Sequence, residues 1–307
     1  MRYRLADRLL CDRRTVGPWL TEGMIAVQLI NRLAALRSAV DQLKTGGKLA
    51  LVPTMGALHA GHLRLVEAAR DAADRVAVSI FVNPAQFGPG EDLDAYPRQL
   101  EEDAARLKAA GVDLLWAPST EEVYAPGFAT SVRVDGVSEG LCGASRPGHF
   151  DGVALVVAKL FNQVRPDIAL FGQKDFQQLA VIRRMAVDLD FPIEIIGVPT
   201  VRDADGLALS SRNAYLTAEG RMQAAALPAA MQAAAAALRA GNAPATVLDE
   251  AKNSLLRGGF TSIDYLEMRA GDDLRLLDRV QDGARLFVAA RIEGTRLIDN
   301  IPVAMPA

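Results

Sequence analysis

The order of apolar and polar positions divides the chain into two regions. Leu29, Leu33, Leu36, Val40 and Leu43 recur at helical spacing, and Gly46-Gly47 ends that run. Short apolar runs then alternate with amphipathic stretches. Strands are predicted over 48–52, 76–82, 112–116, 167–171 and 193–198, and helices over 62–73, 98–110, 153–164 and 176–188. A short helical turn is predicted at 120–124, and a long loop carrying Gly and Pro over 83–97. Regular strand–helix alternation implies an α/β fold with a parallel sheet covered on both faces, and ligands then sit at the carboxyl ends of the strands. Beyond about residue 205 the pattern changes. Two helices, over 218–240 and 244–257, precede strand-like runs at 263–269, 284–290 and 296–301. Consecutive strands with short links predict a small antiparallel sheet. The expected division is therefore 24–205 for the parallel-sheet domain and 206–307 for a smaller α/β domain.

The first 23 residues lack this order. They are rich in arginine, show no clear apolar period and lack the apolar core of roughly 7–15 residues that a secretory signal carries. Met24 opens the patterned sequence. Residues 1–23 are expected to be a disordered extension, or to come from an upstream start codon.

Composition narrows the function classes. Half of the 307 residues are hydrophobic, enough for a sizeable core, and the formal net charge of −3 offers no general basic field for nucleic acid. No run reaches the roughly 18 apolar residues of a membrane span; the alanine-rich stretch 224–237 is interrupted by Pro228 and Gln232. Two cysteines, Cys11 and Cys142, are too few for a disulfide framework and suit a reducing compartment, so a cytoplasmic location is expected.

Five segments carry candidate chemistry. The first runs Met55-Gly56-Ala57-Leu58-His59-Ala60-Gly61-His62, between an apolar strand and a helix start. Free N–H groups and the positive dipole end at such a start suit phosphate. A zinc pair is the competing reading, but the H-E-x-x-H pattern is absent. The second, from Phe81 through Asn83 and Gln86 to Gly88, leaves the end of a strand; Gln86 offers a donor and an acceptor. The third is Arg146-Pro147-Gly148-His149-Phe150-Asp151-Gly152. Its spacing favours a structural role, with Asp151 as helix cap, although Arg146 could face an anion. The fourth is Gly172-Gln173-Lys174-Asp175, again strand, glycine, helix. Lys174 can meet a phosphate, Asp175 can cap the helix or accept from a ribose hydroxyl, and Gln178 lies one turn on, facing the same way. The fifth is Leu209-Ser210-Ser211-Arg212-Asn213, where two hydroxyls and a guanidinium form a plausible polyphosphate grip or a turn cluster.

Taken together, these segments resemble the pantoate–β-alanine ligase family. The matching runs are PTMGALHAGH from Pro53, FVNPAQFG from Phe81, RPGHFDGV from Arg146, FGQKDFQQ from Phe171 and GLALSSRN from Gly206, and they span about Met24 to Val303. The first run also resembles the HxGH box of the wider nucleotidyltransferase superfamily, so another small-molecule nucleotidyltransferase is the alternative. The resemblance implies a Rossmann-like domain with a C-terminal lid. It implies condensation of (R)-pantoate with β-alanine through a pantoyl-adenylate, with ATP consumed and Mg2+ required. It implies that Met55, Gly56, Ala57, Leu58, His59, Ala60, Gly61 and His62 bind ATP, together with Gly172, Gln173, Lys174, Asp175, Val201, Leu209, Ser210, Ser211 and Arg212. His62, His59, Lys174 and Arg212 would carry the chemistry, His62 as proton donor with an imidazole pKa near its ordinary value of about 6.5. Gln86 and Gln178 would hold pantoate, Gln86 would also meet β-alanine, and no protein metal site is implied beyond magnesium arriving with ATP. A homodimer is implied by the same analogy. The chain departs from many relatives at Gln173 and Ala60.

Overall fold

The structure, a computed structural model, describes residues 27–303. The expected extension at 1–23 lies outside them, as does Cys11. The parallel part is built from β1 (Gln28–Ile30), α1 (Leu33–Lys44), β2 (Leu49–Thr54), α2 (Ala60–Ala72), β3 (Arg75–Ile80), α3 (Leu100–Ala109), β4 (Leu114–Trp116), α4 (Thr120–Val123), α5 (Leu141–Ser145), α6 (His149–Val164), β5 (Ile168–Gly172), α7 (Phe176–Asp188) and β6 (Glu194–Val198). Then come α8 (Ala218–Gln223), α9 (Ala226–Arg239), α10 (Pro244–Arg257), β7 (Ser262–Ala270), β8 (Ala284–Ile292) and β9 (Thr295–Pro302).

The first six strands pair in parallel in the order β1-β4-β3-β2-β5-β6. Side chains alternate across a strand, and β2 shows what that does: Leu49 and Leu51 enter a core with α1, α6 and α7, while Ala50 and Val52 enter one with α2 and α3. The chain builds outward from β2 through β3 to β4, then returns to β5 on the other flank of β2. The carboxyl ends of β2 and β5 thus flank a topological switch point, where a crevice opens. The second sheet, β7-β8-β9, is antiparallel, and α9 and α10 bury Leu227, Met231, Val247 and Leu255 against its Leu286 and Val288. Among the described residues no helix is long and apolar enough to cross a membrane.

Four local expectations change. Leu29 belongs to β1, not to the first helix; a three-residue strand pairing only with β4 is too short to show alternation, and Leu29 happens to fall in phase with Leu33 and Leu36. Helix α6 starts at His149, with Gly148 at the N-cap position in the left-handed region and no side-chain cap bond, so Asp151 lies inside the first turn and is not the cap. The stretch 218–240 divides into α8 and α9. Pro228 sits in the first turn of α9, where its missing N–H forfeits no intrahelical bond. The short helix α5 carries no periodic signal because it holds only five residues.

Candidate active site

Past β2 the chain turns through Gly56 (φ 85°) and Ala57 (φ 51°), both left-handed. Glycine takes that conformation freely, whereas Ala57 does so at roughly 1–2 kcal/mol. The turn is fixed by Asp103 of α3, whose fully buried carboxylate accepts from the N–H groups of Ala57 (2.8 Å) and Leu58 (2.9 Å). Helix α2 is then capped by its own histidines. Gly61 N–H donates to His59 Nδ1 (3.1 Å), and His59 N–H donates to His62 Nδ1 (3.2 Å). A Cβ at Gly61 would lie 2.9 Å from the His59 ring, so glycine lets the two rings approach, with centroids 4.1 Å apart.

These bonds decide the protonation state. Both Nδ1 atoms accept, so each neutral ring carries its proton on Nε2. Burial, then the charge of Lys174, lowers His59 to about 4; burial, then His59, lowers His62 to about 3. In the free protein both rings are therefore neutral near pH 7 and offer Nε2–H donors. The ordinary value near 6.5, which made His62 look like a ready acid, does not hold for this buried ring.

Past β5, Gly172 leads into a tight turn over Gln173–Asp175 and then α7. The Gln173 amide donates to the Gly197 carbonyl (3.1 Å), and Asn300 Nδ2 of β9 donates to the carbonyls of Gln173 (2.8 Å) and Lys174 (2.9 Å). Lys174 Nζ lies 3.9 Å from the Asp175 carboxylate, and Asp175 makes no side-chain cap bond to α7.

Between the two turns the floor is apolar, formed by Val153, Val156, Val157 and Leu160 of α6 with Phe81 and Phe171. Buried Asn83 organises one end. It donates to Gln86 Oε1 (3.0 Å) and the Gly152 carbonyl (3.1 Å) and accepts from the Tyr124 hydroxyl (2.8 Å). Gly152 is what lets this turn sit against α6, since a Cβ there would lie 2.1 Å from the Ala85 carbonyl oxygen. Arg146 pairs with Glu91 (2.6 Å) and approaches His149 Nε2 (3.0 Å), while His149 Nδ1 meets the Gln86 carbonyl (2.8 Å). Arginine only donates and a carbonyl only accepts, so His149 is neutral with its proton on Nδ1. Burial, then Arg146, lowers it to about 4.

The segment after β6 closes over this crevice. Leu209 N–H donates to the Val201 carbonyl (3.0 Å), and Ser211 Oγ donates to the Ala57 carbonyl (3.2 Å), which ties the segment to the β2 turn. Ser210 Oγ accepts from Arg212 N–H (3.3 Å), and the Arg212 guanidinium makes two bonds to Asp92 (2.8 and 3.0 Å).

One crevice is thus walled by Met55, His59, Gly61, His62, Gln86, Gly172, Lys174, Asp175, Gln178, Val201, Leu209, Ser210, Ser211 and Arg212. Gly56, Ala57, Leu58, Ala60 and Gln173 stand behind that wall and shape the turns; Leu58 is buried and Ala60 faces away with Arg64 and Arg70. A second cavity shares Arg146, His149, Lys174, Asp175, Gln178 and Arg212 with the first, so cationic groups sit where the two meet. Sequence reasoning named Asn83 without a role and passed over Asp92, Asp103 and Asn300. Asp103 had a signal, an acid on the apolar stripe of Leu100, Ala104 and Leu107; Asn300 had none. Among the described residues no group of three His, Cys, Asp or Glu is placed to hold a metal by itself.

The comparisons with known proteins converge on one family. The family profile described as pantoate-beta-alanine ligase matches residues 28–302. The chain is 60% identical over 283 residues to the pantothenate synthetase of Novosphingobium aromaticivorans, covering 90% of this chain and 99% of that protein. It is 59% identical over 278 residues to that of Sphingopyxis alaskensis, covering 90% and 100%. Among solved structures, pantothenate synthetase from Thermus thermophilus superposes with a TM-score of 0.86 at 49% identity, over 90% of this chain and 99% of that one. A pantoate-beta-alanine ligase from Francisella tularensis, complexed with beta-gamma ATP and beta-alanine, superposes with a TM-score of 0.79 at 32% identity, over 92% and 99%.

Proposed function

The chain belongs to the pantoate–β-alanine ligase family, and we propose the following work for its crevice. The protein is an ATP-dependent carbon–nitrogen ligase of pantothenate biosynthesis. A pantoate carboxylate oxygen attacks the α-phosphorus of ATP, the bond to the β-phosphate oxygen breaks, and pyrophosphate leaves. The neutral amine of β-alanine then attacks the acyl carbon of pantoyl-adenylate, AMP departs with the C–O bonding pair, and the nitrogen gives up one proton to solvent and keeps one as the amide N–H. A carboxylate is a poor acyl donor and AMP a good leaving group, so the site must stabilise charge on the phosphates, hold the carboxylate in line and keep water from the adenylate.

The observation that carries this reading is the meeting of the His59 and His62 Nε2–H donors, Lys174 and Arg212 along one crevice over an apolar floor. The imidazoles and Lys174 serve the phosphates, Asp175 the ribose, and the Val201 backbone the adenine side. Gln86 and Gln178 take the pantoate hydroxyl and carboxylate groups while its two methyl groups rest on Val156, Val157 and Phe171; Gln86 also meets β-alanine. Ser210, Ser211 and Arg212 clasp the triphosphate once Asp92 gives up the guanidinium. Magnesium, entering with ATP, would neutralise phosphate charge, as its preference for phosphate oxygens and retained waters suggests. The two sheets support a division near residue 205 into a catalytic domain and a lid. A homodimer and a cytoplasmic location complete the reading by analogy.

Radiolabelled pyrophosphate should exchange into ATP with pantoate alone, while AMP release requires both pantoate and β-alanine. Folded protein that shows no pantoate-dependent exchange would overturn the adenylate route.

A further inference from the structure

The β5 turn, with Lys174 at its centre, is short, and its first two carbonyls are claimed from another sheet. Asn300 of β9 is 3% exposed, and its Nδ2 reaches the Gln173 oxygen at 2.8 Å and the Lys174 oxygen at 2.9 Å. Its Oδ1 accepts from Arg285 Nη2 (2.6 Å) and Nε (3.1 Å). Carbonyls only accept and arginine only donates, so the amide has one orientation and no alternative flip. The same Arg285 guanidinium lies 4.3 Å over the Phe176 ring, at the first residue of α7. The peptide units on either side of Lys174 and the helix start after it are therefore gripped together. Asp299, the preceding residue of β9, is also buried and pairs with Arg202, which donates to the Gly206 carbonyl (3.0 Å) at the entry to the Ser210–Arg212 segment.

We propose that Asn300, held by Arg285, is a positioning residue for adenylate formation: it fixes the turn that aims Lys174 at the phosphates of ATP. The inference rests on Lys174 being the phosphate-binding lysine. A lysine on a flexible stem delivers its charge only as well as its backbone is placed, and Asn300 supplies that placement through two donors that no residue of the turn itself replaces. Aspartate at this position keeps the size and the acceptor for Arg285 but points a carboxylate at two carbonyl oxygens.

The test is a double-mutant cycle between position 300 and Lys174→Ala, read by pantoate-dependent pyrophosphate–ATP exchange, with pantoate binding measured by calorimetry. With Lys174 present, Asn300→Asp should lower exchange on the order of 10²-fold, through both kcat and the KM for ATP, the size expected when a reacting group is displaced by about 1 Å. With Lys174 already alanine, it should lower exchange by less than about twofold, because residues that act through one another are not additive. Pantoate affinity should not change in either background. Asn300→Ala, which removes the donor without adding charge, goes through the same cycle and covers the case in which the buried carboxylate prevents folding. Equal losses in both backgrounds, for whichever variant folds, overturn the inference and leave the role of Lys174 standing. Full exchange in Lys174→Ala alone removes the phosphate-binding reading and this inference with it.

Discussion

The β2 and β5 turns have the same plan, a strand, a glycine and a helix start, yet they are held in different ways. The β2 turn carries its own fastening. His59 and His62 cap α2 within four residues, Asp103 and Arg106 of α3 bind its backbone from the same parallel-sheet part of the fold, and Ser211 adds a single bond to the Ala57 carbonyl. The β5 turn is fastened from outside, by Asn300 more than 120 residues later in the chain. The difference is between a site wall that local sequence builds and one that exists only once the antiparallel sheet has docked. It also assigns different chemistry: neutral Nε2–H donors on one side, a fixed cation on the other.

The largest expected effect tests the donor role on the β2 side. His62→Ala should lower the exchange rate about 10²–10³-fold, the usual size for losing one such contact. His62→Asn, which keeps an N–H near the same place but cannot supply a proton, should recover a substantial part of that loss; no recovery would mean that the ring acts as an acid after phosphate raises its pKa. Next comes the anchor. Asp103→Ala leaves the Ala57 and Leu58 N–H groups without a partner and should destabilise the protein by about 1–3 kcal/mol in urea unfolding. If it also abolished Lys174-dependent ATP binding, the two turns would not be separately held.

The smallest effect is in pH. His59, His62 and His149 are lowered from 6.5 to about 4, 3 and 4, so between those values the unfolded chain binds more protons than the folded one. Their stabilising contribution is complete above about 6.5 and is lost as pH falls toward the folded values. The melting temperature should decline as pH drops from about 6.5 to about 5, above the range where ordinary carboxylates titrate, and His62→Asn should flatten that decline. A flat wild-type profile would show that the rings are not buried as neutral groups.

How much was legible follows the same divide. The HxGH run could be read as a phosphate-facing helix start because its geometry is local: a glycine where two rings crowd, and histidines at cap and third position. Lys174 and Asp175 could be placed at a strand end for the same reason. Arg146 and His149 were harder. Their segment looked like simple capping, but Gly148 holds the N-cap position with no side-chain cap bond, while Arg146 and His149 bind Glu91 and the Gln86 backbone at the rim of the crevice. The alternative of a different nucleotidyltransferase rested on the HxGH run alone and gives way to a family match over residues 28–302.

The sequence by itself determined the strand–helix alternation, the class of ligand that a glycine-led helix start attracts, and most of the side chains that face the crevice. Periodicity and capping depend on neighbours a few residues apart, so they are written in the order of the chain. Tertiary structure alone decided that His62 is neutral, that Arg212 rests on Asp92, and that Asn300 reaches the Lys174 turn. Each of these depends on burial or on the register between distant elements, and neither leaves a mark at the residue it controls.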